Sequence, residues 1–197
     1  MSMFLKIISA AFYVMLFQNL IFTGGYGVTE TIRMSAKPRQ LFPMAIFITY
    51  FSTTVSAICV ILDTIPAIKK MSEVRHALVF SAVLIVVYAI TMFVLLTFKK
   101  ISPRTLRRMG IAAFNTLVFA IPLINYRSAF SVLEAIGAGV GAGIAYIIAV
   151  VLVNSGLKKL DANKTIPRCF RGTPGLFVYT ALLSLGFAGI SGSSIFI

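Results

Sequence analysis

The sequence predicts an all-α integral membrane protein of six transmembrane helices, arranged as two inverted three-helix repeats with the first helix of each repeat broken. Three observations predict it. The 197-residue chain is 59% hydrophobic and only 12% charged, with a mean hydropathy of +0.98, far more apolar than a soluble domain of this size. Six apolar runs are each long enough for the roughly 20 residues that cross a bilayer. An asparagine ahead of an apolar run recurs at matching places in the two halves, the first of them beside a glycine-rich stretch.

The runs fall at about 4–23, 41–65, 77–98, 106–124, 129–157 and 174–197. The first leads into Asn19-Leu-Ile-Phe-Thr-Gly-Gly-Tyr-Gly-Val-Thr29. An asparagine followed by Gly24, Gly25 and Gly27 does not continue a helix comfortably, yet the surroundings are too apolar for a surface loop. Irregular backbone at membrane depth is tolerated where protein buries it or where it lines a cavity, so this stretch is expected to be a half-helix break. The first run is not expected to be a cleavable signal, since no basic leader precedes it, no small-residue cleavage site ends it, and five more spans follow. Pro43 falls in the first turn of the second run and Pro66 ends it. Pro122 is expected to disturb the fourth.

In the fifth run Gly137, Gly139, Gly141 and Gly143 form two overlapping GxxxG pairs. Residues two apart point to nearly opposite sides of a helix. This helix is therefore expected to be smooth on two faces and packed between neighbours. The glycines lack the strand that a dinucleotide-binding turn requires.

Thirteen of the eighteen basic residues lie between spans one and two, three and four, and five and six. The positive-inside bias puts those loops in the cytoplasm and both termini outside, in a prokaryotic inner membrane. The net charge of +13 is thus a topology signal, and no nucleic-acid partner is expected.

The single domain divides into repeats at about 3–98 and 104–197. Three spans per half is an odd number, so the second half enters the membrane inverted. Asn19-Leu-Ile-Phe in one half is echoed by Asn115-Thr-Leu-Val-Phe in the other. Inverted repeats with discontinuous helices build their sites near the midplane. The candidate site or ion path is therefore Asn19, Gly27, Thr29, Asn115 and Thr116. Asp63 and Glu134 read as interfacial acids, Glu134 compensated by Arg127 and by its own helix N-terminus.

Cys59, Cys169 and the lone His76 cannot assemble a metal site. With one histidine and few acids at depth, no catalytic constellation can be argued.

Several motifs resemble a known family. Ile166-Pro-Arg-Cys-Phe-Arg-Gly172 is similar to the V-P-x-x-x-R-G that precedes the last span in the six-helix membrane subunits of the Rnf and sodium-translocating NADH:quinone reductase complexes. Ala181-Leu-Leu-Ser-Leu-Gly-Phe-Ala-Gly-Ile-Ser-Gly192 resembles that family's G-L-M-x-L-x-F-x-x-F-S-G. Weaker matches are Ser56-Ala-Ile-Cys-Val-Ile-Leu-Asp63, Ser102-Pro103, Leu106 with Gly110-Ile111, and Asn115 with Asn125.

The resemblance implies electron transport coupled to ion movement. It also implies a homologous, inverted partner subunit, together with an intramembrane [2Fe–2S] cluster whose cysteines come from both subunits. The family's ligand motifs, L-G-x-C and N-C-A, fall here on Tyr26-Gly27-Val28-Thr29 and Asn115-Thr116-Leu117. Both ligand positions are threonine, a poor substitute for thiolate on soft iron. The chain is expected to be a divergent, non-catalytic subunit that holds no cofactor by itself; its hydroxyls and backbone carbonyls could instead suit sodium. A second reading stays open: a small transporter or the substrate-binding membrane subunit of an importer, since inverted repeats and broken helices also mark transporters.

Overall fold

The computed structural model describes residues 3–98 and 102–192. The remaining residues, among them Lys99, Lys100 and the expected end of the sixth span at 193–197, lie outside the described residues. The chain is a multi-pass membrane protein, helical throughout its ordered elements.

Five of the six expected spans are long and apolar enough to cross a membrane: Pro38–Leu62, Glu73–Phe98, Pro103–Arg127, Val132–Ala162 and Thr173–Ser191. The first is not one helix. It is built from α1 (Met3–Phe12), a π-helical turn (Tyr13–Phe17), α2 (Leu20–Gly24) and α3 (Val28–Ser35). The single break expected over residues 19–29 is two breaks. The earlier follows the π turn, where the Gln18 N–H donates to the Tyr13 carbonyl at 2.8 Å. Asn19 then restarts the helix as its N-cap, accepting from the Ile21 N–H at 3.2 Å. The later break runs through Gly25 and Gly27, whose φ angles of 72° and 79° are open to glycine without a side-chain penalty.

The second span is α4 (Leu41–Leu62). Pro66 does not end it; it opens the one-turn helix α5 (Pro66–Lys69) as its first residue. The third span is α6 (Glu73–Phe98). The fourth is α7 (Pro103–Ala113) and α8 (Thr116–Arg127). Its interruption falls at Phe114–Asn115, where the Asn115-Thr116 echo places it; Pro122, expected to disturb the span, is instead buried in a continuous α8. The fifth and sixth are α9 (Val132–Ala162) and α10 (Thr173–Ser191).

The organising pair is α4 against α9. On one face of α9, Gly137 and Gly141 admit the backbone of α1 at Ile7 and Ala11. On the other, Gly139 and Gly143 admit α4 at Thr53 and Thr49. With its glycines buried on both sides, α9 lies between α1 and α4 at a separation that a methyl group would prevent. Dispersion contacts and interhelical hydrogen bonds, more than any hydrophobic drive, hold such helices together in lipid. One hydrogen bond adds to the packing: the Asn154 amide of α9 donates to the Ser35 carbonyl at the end of α3. Around this centre, α4 also contacts α7 and α8, while α9 also contacts α3 and α10.

Glu134 is not compensated by Arg127. Its carboxylate accepts from the Ser131 backbone N–H at 2.8 Å and the Ser131 hydroxyl at 2.7 Å, which fixes the start of α9. Arg127 instead makes a bidentate contact with Glu73, at 3.1 and 3.0 Å.

Candidate functional site

The two interrupted spans meet. The α3 N-terminus is capped by Gly27 and the α8 N-terminus by Asn115. Between them lies a cavity of about 460 Å³ whose lining includes Gly27, Thr29, Glu30, Phe114, Asn115 and Thr116. The joint is a hydrogen bond of high sequence separation: the Gly27 N–H donates to the Thr116 Oγ1 at 2.8 Å. Gly27 is buried, and a Cβ there would stand 2.8 Å from Asn115 Oδ1 and 3.3 Å from Leu117 Cβ. A left-handed φ and a close approach therefore both require glycine at 27.

Asn115 caps the α8 side of the joint. Its Oδ1 accepts from the Leu117 N–H at 3.0 Å, satisfying one of the orphan donors at the start of α8. Its buried Nδ2 has no hydrogen-bond partner among the described residues. On the other side, the Gly27 carbonyl accepts from the Thr31 N–H at 2.9 Å and the Thr31 Oγ1 at 3.0 Å.

The field at the cavity follows from the two helix ends. Each N-terminus carries partial positive charge and unsatisfied N–H groups. Glu30, in the first turn of α3, supplies negative charge on one side and pairs with Arg33 at 2.8 Å. The first turn of α8 has no acid. The cavity is therefore suited to hydrogen-bond acceptors and anions more than to cations.

Of the five sequence-predicted residues, the structure gathers Gly27, Thr29, Asn115 and Thr116 around one cavity. Asn19 does not line it; it is fully buried and serves as a cap. Glu30 escaped the sequence reading because an acid followed closely by Arg33 reads as a loop charge.

A second polar cluster was also missed. His76 is fully buried, its Nε2 3.3 Å from Asp63 Oδ1 at an angle outside hydrogen-bond geometry. Its ring stacks on Tyr126 at 4.0 Å between centroids. Asp63 is thus half of a pair, beyond its expected interfacial role. The signal available in sequence was only a lone histidine some way beyond an acid.

The donor set does not fit an iron–sulfur cluster. Thr29 and Thr116 offer neutral hydroxyls, and Thr116 Oγ1 is engaged by Gly27. Cys59 is buried and Cys169 exposed, and neither lines the cavity. Thiolates are what hold such clusters, and none is at hand from this chain.

Fold and site together define a multi-pass membrane protein whose two broken spans meet at their half-helix N-termini. The chain belongs to the family described as "Rnf-Nqr subunit, membrane protein", whose model matches residues 7–194. It is similar to a subunit of the ion-translocating oxidoreductase complex of Rhodobacter capsulatus, 25% identical over 181 residues covering 90% of this chain and 92% of that protein. It is also similar to a subunit of the Na(+)-translocating ferredoxin:NAD(+) oxidoreductase complex of Acetobacterium woodii, 24% identical over 196 residues and covering 98% of each. A third relative, from the ion-translocating oxidoreductase complex of Actinobacillus pleuropneumoniae, is 26% identical over 192 residues, 95% of each chain.

Proposed function

We propose that this chain is a divergent membrane subunit of an Rnf/Nqr-like ion-translocating electron-transport complex, paired with a homologous inverted subunit, and that it does not ligate the intramembrane [2Fe–2S] cluster. The observation that carries this reading is the Gly27–Thr116 hydrogen bond across the facing breaks. A hydroxyl stands where the family places a ligand, and it accepts a backbone N–H of the opposite half-helix. The break keeps its shape by hydrogen bonding within the chain.

The surface around the break supports a partner. Thr29, Phe114 and Thr116 are exposed at the cavity, and the orphan Asn115 Nδ2 and the positive helix ends ask for acceptor groups from a facing chain. The same field counts against a sodium ion at Thr29 and Thr116. Two inverted repeats account for the packing, in which α4 takes the broken span α7–α8 and α9 takes α1 and α3. The family membership favours this reading over the importer one, which the broken helices alone do not single out. The loop charges support an orientation with both termini outside, and the family membership supports a prokaryotic inner membrane.

The test is purification of the native complex with iron analysis and electron paramagnetic resonance. Co-purification with a homologous membrane subunit is expected, and any [2Fe–2S] signal should persist in T29A and T116A. Loss of that signal in either variant, or co-purification with an ATPase pair in place of redox subunits, would overturn the reading.

A further inference from the structure

A second cavity, of about 290 Å³, lies where α3 approaches α7, and five cations line it: Arg33, Lys37, Arg104, Arg107 and Arg108. We propose that it binds the phosphate group of an anionic membrane phospholipid. This inference is independent of the cluster question and of the partner subunit.

Four features carry it. The cations come from two segments far apart in sequence, so their convergence is a property of the fold and not of one basic loop. Of these five cations only Arg33 has a carboxylate partner among the described residues, Glu30; Lys37, Arg104, Arg107 and Arg108 form no ion pair there. The three arginines of α7 occupy its first two turns, and in the first of these, at Arg104, the helix dipole is already positive and no acid offsets it. Mutual repulsion and the dipole thus both favour a bound anion.

The fourth feature selects the source. The cavity is also lined by the buried Met44 and the half-buried Ile111. A free phosphate ion gains nothing from an apolar wall, whereas the glycerol-ester region of a lipid does. Basic pockets between transmembrane helices bind anionic headgroups in this way, and arginine suits phosphate through paired N–H donors. The positive-inside bias assigns this face to the cytoplasm.

The experiment uses the full chain, with whatever subunits accompany it, delipidated in neutral detergent. It is titrated by native mass spectrometry with dioctanoyl phosphatidylglycerol, dioctanoyl phosphatidylcholine and inorganic phosphate. Phosphatidylglycerol should bind at least about tenfold more tightly than either other probe. The exposed double variant R104Q/R107Q should lose about tenfold or more in that affinity, while K158Q/K159Q, at the C-terminal end of α9, should lose none. R104K/R107K keeps the charge and should keep most of the binding, which separates lost affinity from lost folding. Equal binding of phosphatidylcholine, inorganic phosphate binding as tightly as phosphatidylglycerol, or full affinity in R104Q/R107Q would each overturn the proposal.

Discussion

Thr116 and Gly27 set the local energetics of the facing breaks. Removing the Thr116 hydroxyl leaves the Gly27 N–H without its acceptor, which costs about 1–3 kcal/mol for a desolvated donor. T116V should therefore lower the unfolding midpoint of the purified protein in detergent, and T116S should restore it. Gly27 tolerates less. In G27A a Cβ must coexist with φ near 79° and an Asn115 oxygen 2.8 Å away, so its loss should exceed that of T116V in the same assay. The threonines and Asn115 were legible in the sequence, because polar residues beside glycines at membrane depth are few and conspicuous. Glu30 and the His76–Asp63 pair were not. Their partners lie on other turns or other helices, and spacing along the chain carries no distance through space.

At the scale of elements, α9 decides the packing. G137A and G141A would drive a methyl group into the α1 backbone at Ile7 and Ala11, which a backbone cannot evade by changing rotamer. Each should destabilise the protein by about 1–3 kcal/mol, the usual cost of overpacking. Gly186 in α10 is the internal control, since a Cβ there meets nothing within 4 Å. G186A should be neutral, or stabilising by up to about 1 kcal/mol. Thermal denaturation of the three variants side by side checks both expectations. The glycine spacing was readable as a two-faced helix, but which neighbour each face receives was not. The π turn at Tyr13–Phe17 was equally invisible. An apolar run reports that a segment enters the bilayer, while the register of its hydrogen bonds is set by what packs on it.

For the whole molecule, loop charges give a topology that a reporter fused to the C-terminus tests directly. Signal from a periplasmic reporter is expected, and signal from a cytoplasmic one would reverse the orientation. The exposed cavity between the half-helix ends gives a further expectation. In native membranes T29C should cross-link through its thiol to a homologous membrane subunit, whereas F93C, on the exposed surface of α6, should not. Absence of any such cross-link at Thr29 would remove the pairing argued from the site.

By itself, the sequence determined that the chain lives in a membrane, where its spans lie and which of them break. Hydropathy, glycine, proline and buried asparagine act locally, and a bilayer leaves the backbone few alternatives. Tertiary structure alone decided that the break after Gly25 faces the one before Thr116, that Asn19 caps a helix outside that cavity, and that arginines of α7 converge with Arg33 and Lys37. Those relations depend on how α4 and α9 seat against each other. That seating is fixed by close packing between helices distant in sequence, which no local pattern encodes.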